Sequence, residues 1–166
     1  MTEREFADLV SQYSEPLYWN IRRMVMNHED ANDLLQNTFI KAWTNADSFR
    51  NDSKVSTWLY RIAVNETLDF LRKQQRTPAG DSIADSESLM RSLRADDYFD
   101  GTETELKLQA AIATLPTAQR TVFNMKYFDD MKYSEISKIL GTSVGALKAS
   151  YHLAVKKISS FFSEQD

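Results

Sequence analysis

Apolar residues recur at helical spacing along most of this 166-residue chain. Within 31–46, Leu35, Phe39 and Trp43 fall at i, i+4 and i+8, which predicts a helix with one apolar stripe. Residues of capping type run from Asn27 to Asp30, and Glu29 and Asp30 stand in the first turn, where the helix dipole favours acid. Leu17, Ile21, Met24 and Val25 predict an earlier helix. Leu59, Ile62, Ala63, Leu68 and Leu71 predict a third, over 56–75. Between the second and third lies NADSFRNDSKV (45–55), whose Asn, Asp and Ser residues read as a loop.

Residues 76–102 change character. They hold a Pro-Ala-Gly turn cluster and abundant Asp, Ser and Glu, and read as a flexible acidic linker with apolar anchor points at Leu89 and Leu93. A surface helix over 86–94 is the alternative. Helical patterning resumes over 103–115 and stops before Pro116, because the residue preceding a proline is pushed out of helical geometry. A helix over 117–128 follows, with Thr117 as its expected cap and Val122, Phe123, Met125 and Phe128 as core candidates. Two last helices, 133–140 and 143–162, are separated by Gly141-Thr142. The expected fold is all-α: two small helical domains, 1–75 and 103–166, joined by the linker 76–102.

Composition narrows the function classes. A hydrophobic fraction of 42% with 27% charged residues is globular, and only 4 Gly and 3 Pro leave little material for the tight turns of a sheet protein. Without cysteine there is neither disulfide nor thiolate metal site, and His28 and His152 are too few for a histidine cluster. No nucleophile–base pair, glycine-rich phosphate loop or metal spacing is present, so no enzyme activity and no cofactor or metal is expected. No apolar run approaches the ~20 residues that span a bilayer, and MTEREFADLV is charged where a signal peptide needs an apolar core. A cytoplasmic protein without membrane insertion is expected. The net charge of −4 hides an asymmetry: 76–105 holds 3 bases and 8 acids, whereas 106–166 holds 8 bases and 5 acids. Phosphate responds to the local patch, so the chain's acidity does not exclude nucleic acid.

The stretch YSEISKILGTSVGALKASYHLAVKKI has the pattern of a helix-turn-helix, in which a short helix turns at Gly141 and a second begins from a Ser143 cap. Projected at 100° per residue, Val144, Leu147, Tyr151, Ala154, Val155 and Ile158 form the expected core stripe. The opposite face carries Gly145, Ala146, Ala149, His152, Leu153, Lys156 and Lys157, small and apolar where a surface helix would carry Glu and Gln. Ala149 and Leu153 suit thymine methyls in a major groove, and Lys148, Lys156 and Lys157 suit phosphate or a guanine edge. Spacing alone favours DNA binding over the alternative, a hairpin that docks on protein.

With these segments in view, the chain resembles an extracytoplasmic-function sigma factor of bacterial RNA polymerase. EDANDLLQNTFIKAW resembles the family's polymerase-binding helix, and DSFRNDSKVSTWLYRIAVNETLDFLRK its promoter-melting loop and following helix. AIATLPTAQRTVFNMKYFDDMKYSEISKILGTSVGALKASYHLAVKKI resembles its C-terminal promoter-reading domain. The resemblance implies a subunit that binds the polymerase core, at the β′ clamp helices and the β flap, and directs promoter recognition, melting and initiation. It assigns Asp33, Leu34, Gln36 and Phe39 to the clamp contact; Phe39 also belongs to the apolar stripe, where it would be core. It places Phe49, Arg50, Asn51, Ser53 and Lys54 in a loop that captures a flipped base, with Trp58, Arg61 and Asn65 on the next helix. Trp58 could stack on a base, but a Trp in a small helical bundle is more often core. Arg72 and Lys73 add charge for the strand backbone. Ser143, Lys148, Ala149, His152, Leu153 and Lys156 are assigned to the upstream element. An anti-sigma partner is implied as well.

One position departs from the family. Where many of its members carry Thr-Val-Lys-Ser-Arg, this chain has Ala146 to Ser150, so an expected arginine is Ser150. An autonomous helix-turn-helix regulator and a helical protein-binding adaptor are the rival readings.

Overall fold

The computed structural model describes residues 1–49, 54–76, 86–97, 99 and 101–165. Among these, every regular element is helical. Helix α1 (Glu3–Val25) starts from a capping box: Thr2 Oγ1 accepts from Glu5 N (3.1 Å) and the Glu5 carboxylate accepts from Thr2 N (2.8 Å). It stops where Met26 turns left-handed (φ 60°). Helix α2 (His28–Thr44) begins at once from Asn27, whose side chain accepts from Asp30 N. A 3-10 turn (Ala46–Ser48) leads towards the loop, and α3 (Val55–Arg76) closes a three-helix unit. Helix α4 (Ser86–Arg94) follows, then α5 (Glu103–Ala113), α6 (Thr117–Phe123), a π-helical segment (Asn124–Phe128), α7 (Tyr133–Leu140) and α8 (Val144–Gln165).

Several sequence expectations shift. The helix alternative holds over 86–94, and Leu93 is buried in it; the Leu89 side chain lies outside the described residues. Pro116, not Thr117, occupies the cap position of α6, and no side chain caps that helix; the locked φ of proline supplies the entry geometry instead. On α2 the buried ladder is Ala31, Leu34, Thr38 and Ala42, one residue off the expected stripe. The reason is steric. This helix is wedged between α1 and α3, so small side chains face the close approaches and the large aromatics are pushed to the flank. Thr38 joins the ladder by donating its hydroxyl to Leu34 O (2.7 Å). On α8, Leu147, Ala154 and Ile158 are buried as expected, whereas Val144 and Val155 are 36% and 39% exposed.

The two helical units do not stand apart. Leu17, Ile21, Leu59, Tyr60, Ala63 and Val64 of the first share one apolar core with Val122, Met125, Met131, Ile136, Ile139 and Leu147 of the second. A second core, formed by Met90 and Leu93 of α4 with Leu106, Ala110, Ile112, Phe123, Ala154, Ile158 and Phe161, fastens α4 to the C-terminal unit.

Polar contacts stitch the junction. Asn20 Nδ2 donates to Asp129 Oδ2 (2.7 Å), Arg120 Nη1 to Met24 O (2.7 Å) and Asn124 Nδ2 to Met24 Sδ (3.1 Å). Burial pushes the Asp129 carboxyl up to about 6, with Asn20, Arg23 and Tyr60 pulling the other way. Burial also holds the Tyr60 phenol well above its usual range. Because Asp129 binds its proton more tightly in the folded chain, its contribution to stability is greatest below about pH 4 and is lost as pH rises to about 6. Relative to Asp129→Asn, wild-type stability in urea should therefore fall across pH 4–6. Parallel pH profiles for the two chains would show that the buried carboxyl does not titrate in this window.

Candidate nucleic-acid and polymerase interfaces

Helix α8 is set by its entry. Gly141 adopts φ 72° and donates its N–H to Ser137 O (2.8 Å), closing α7 with a left-handed residue that any Cβ would strain. Ser143 Oγ then accepts from Ala146 N (3.2 Å) and caps α8. Leu147 is 1% exposed and anchors the first turn of α8 in the shared core.

With that side buried, the outward face of α8 presents Val144, Gly145, Ala146, Lys148, Ala149, His152, Leu153 and Lys156, all exposed. Leu153 is 46% exposed, and a Cβ added at Gly145 would meet nothing within 4 Å. Every residue of the sequence-assigned upstream set, Ser143 included, is exposed. Lys148 Nζ lies 5.9 Å from the Tyr133 ring, which is itself edge-on to Tyr151. Behind the helix, Phe123 stacks on Tyr151 (5.7 Å) and on Tyr127 (5.1 Å), and Tyr127 is left 55% exposed.

The expected melting surface is assembled in part. Arg50, Asn51 and Ser53 lie outside the described residues. Lys54 is exposed at the start of α3 and its carbonyl accepts from Trp58 N. Phe49 and Trp58 are both half-buried, with ring centroids 5.0 Å apart. Trp58, Arg61 and Asn65 follow at i, i+3 and i+7 on one face of α3, and Asn65 is exposed. Arg61 is otherwise engaged: its Nη2 donates to Lys138 O of α7 (2.9 Å). Arg72 is exposed and paired with Asp69 on its own helix.

On α2, Asp33 and Gln36 are exposed and available to a partner. Leu34 is not. At 6% exposure it is core, a correction to its assignment as a contact residue, because the ladder that meets α1 and α3 runs through it. Phe39 is half-buried, edge-on to Phe6 at 6.3 Å. The sequence reading missed Ile40 (62% exposed) and put Trp43 (44% exposed, 5.0 Å from Phe6) in the core stripe. With Asp33 and Gln36 they give an outer face at i, i+3, i+7 and i+10; the available signal was that Ile40 falls off the stripe.

Comparison with known proteins bears on these surfaces. Residues 9–77 match the family model Sigma-70 region 2, and residues 105–158 match Sigma-70, region 4. The chain is 37% identical over 155 residues to the ECF RNA polymerase sigma factor SigW of Bacillus subtilis, covering 89% of this chain and 83% of that protein. This chain belongs to the ECF sigma factors. A second relative, the ECF RNA polymerase sigma-E factor of Haemophilus influenzae, is 30% identical over 155 residues, covering 89% of this chain and 82% of that one. Among solved structures, the sigma factor RpoE of Bartonella quintana, in complex with the anti-sigma factor NepR, matches in fold with a TM-score of 0.78 at 23% identity, over 96% of this chain and 98% of that one. As a member of the family, the protein is an alternative sigma factor: it binds core RNA polymerase and promoter DNA and directs transcription initiation. It is a transcription initiation factor. Among the described residues, no helix is long and apolar enough to cross a membrane.

Proposed function

We propose that this sigma factor divides its work among three surfaces on two units, 1–75 and 103–166. The outer face of α2 holds polymerase through Asp33, Gln36, Ile40 and Trp43, with Phe39 supporting from the flank. Phe49, Lys54, Trp58, Arg61 and Asn65, with the adjoining loop, take the melted strand: the Phe49–Trp58 ring pair offers a stacking platform, and Asn65 a donor and an acceptor for a base edge. Ser143, Lys148, Ala149, His152, Leu153 and Lys156 read the upstream duplex. The observation that carries this division is the open α8 face, apolar and basic where an idle surface helix would be acidic and amidic. Run-off transcription with core polymerase, with and without the protein, on genomic promoter fragments tests it; no gain of specific transcripts would sink it. The protein works in the cytoplasm, and an anti-sigma factor restrains it, as the Bartonella relative's complex supports.

Two outcomes are expected. Ile40→Ala should weaken polymerase binding by about 1–2 kcal/mol, a truncation of an exposed interface anchor, while leaving the melting temperature within a degree or two. Equal affinity of Ile40→Ala and wild type in a core-binding titration would remove this face from the contact.

The two DNA surfaces should also fail differently. Lys148→Ala and His152→Ala should weaken recruitment by about 1–3 kcal/mol, the usual range for a lost base contact. A pre-melted bubble template should not restore them. Phe49→Ala and Asn65→Ala should slow opening of duplex promoter while the bubble template restores their transcription. If both open duplex promoter at wild-type rates, the strand-capture role of this surface is lost and Phe49 is a packing residue.

A further inference from the structure

A cleft of about 390 Å³, a volume within the range of small-molecule sites, is lined by residues of α1, α4, α5 and the π-helical segment. Its walls are largely apolar: Trp19, Leu93, Phe99, Leu108 and Phe128. None of these belongs to the surfaces proposed for polymerase or promoter. Two cations interrupt the apolar lining, Arg22 and Arg23. Arg22 is 4% exposed, and its guanidinium bonds the Asp96 carboxylate and Tyr18, yet its Nε is buried with no partner. A buried donor without an acceptor is costly, so it marks where a ligand oxygen would be held most firmly. Arg23 is half-buried, with its guanidinium 3.9 Å over the Phe128 ring. The Asp129 carboxylate near it accepts hydrogen bonds from Asn20 and Tyr60. Glu105, exposed, also lines the cleft, and its carboxylate repels a second negative charge, which selects against phosphates.

We propose that this cleft is a binding site for a small aromatic monocarboxylate. Its flat body lies among the Trp19, Phe99 and Phe128 rings and the Leu93 and Leu108 side chains, and its carboxylate takes Arg22 Nε and the Arg23 guanidinium. The rings favour a planar body, because aromatic faces and edges pack best against another ring. The site is independent of the surfaces proposed for polymerase and promoter, and stands or falls apart from them.

Titration calorimetry of the full chain with naphthoate, neutral naphthalenemethanol and naphthyl phosphate tests this. Naphthoate should bind about tenfold more tightly than either of the others, because a charge-assisted bond to a buried donor separates them. It should also raise the thermal unfolding temperature, as a ligand of the folded state does. Arg22→Lys keeps a cation for Asp96 and removes the Nε donor. It should weaken naphthoate about tenfold and leave naphthalenemethanol unchanged. Leu108→Trp should fill the cleft and abolish binding of both. Wild type supplies a measurement that no folding defect can spoil: the bound naphthalene ring must show nuclear Overhauser contacts to the Leu93 and Leu108 methyl groups. Contacts to other methyl groups alone, or no binding of naphthoate at about 1 mM, overturn the site. A folded Leu108→Trp chain that binds naphthoate as wild type does overturns it too. Equal affinity for naphthoate and naphthalenemethanol in wild type, or tighter binding of the phosphate, overturns the carboxylate assignment.

Discussion

Asp96→Ala is expected to destabilise the protein by about 3 kcal/mol or more, towards the lower end of the 3–5 kcal/mol range for breaking a buried ion pair. Its partner Arg22 is 4% exposed, and the Arg22 guanidinium bonds the Asp96 carboxylate and Tyr18. Burial already lowers the Arg22 pKa, and its Nε has no hydrogen-bond partner. Removing the carboxylate leaves a cation that cannot give up its proton, in a site with little water. Asp96 itself is 16% exposed, which lets some solvent reach the pair and sets the estimate low in the range. Arg22→Met should be the milder change, since it removes the buried charge together with its cost. Urea unfolding followed by circular dichroism checks both. A loss under about 1 kcal/mol for Asp96→Ala, or a larger loss for Arg22→Met, would mean that water already screens the pair.

Leu147→Ala should cost about 2–5 kcal/mol, the range for emptying a closed core site. Leu147 is 1% exposed and belongs to the core that joins Met125, Ile136 and Ile139 to the first unit. The cavity would open under the first turn of α8, the helix proposed to read the upstream element, so recruitment to that element should suffer with stability. Val144→Ala, three residues earlier on the same expected stripe, should cost about 0.5 kcal/mol or less because Val144 is 36% exposed. Thermal unfolding separates them, at roughly 2–4 °C per kcal/mol for a chain of this size. Equal losses would place both side chains in the core.

Much of this molecule is local. The capping residues Asn27 and Ser143, the turn at Gly141 and the apolar spacing of Leu17, Ile21, Leu59 and Leu147 each act within a turn or two of chain. The all-helical class, the helix-turn-helix pattern and the exposure of the outward α8 face were therefore legible from residue order, as was the family. The proposed polymerase face was half legible. Asp33 and Gln36 are exposed as polar residues usually are, but Leu34 and Trp43 were misplaced and Ile40 was missed. A 3.6-residue period gives the angle of a stripe without saying how many neighbours a helix has. Because α2 is wedged between two others, its buried face narrowed and turned towards Ala31, Leu34, Thr38 and Ala42. The junction was not legible at all. Arg61 and Lys138 are 77 residues apart, and Asn20 and Asp129 are 109 apart. No periodicity reports a pairing over such separations, because an apolar side chain suits either its own unit's core or a shared one, and only the packed chain decides between them.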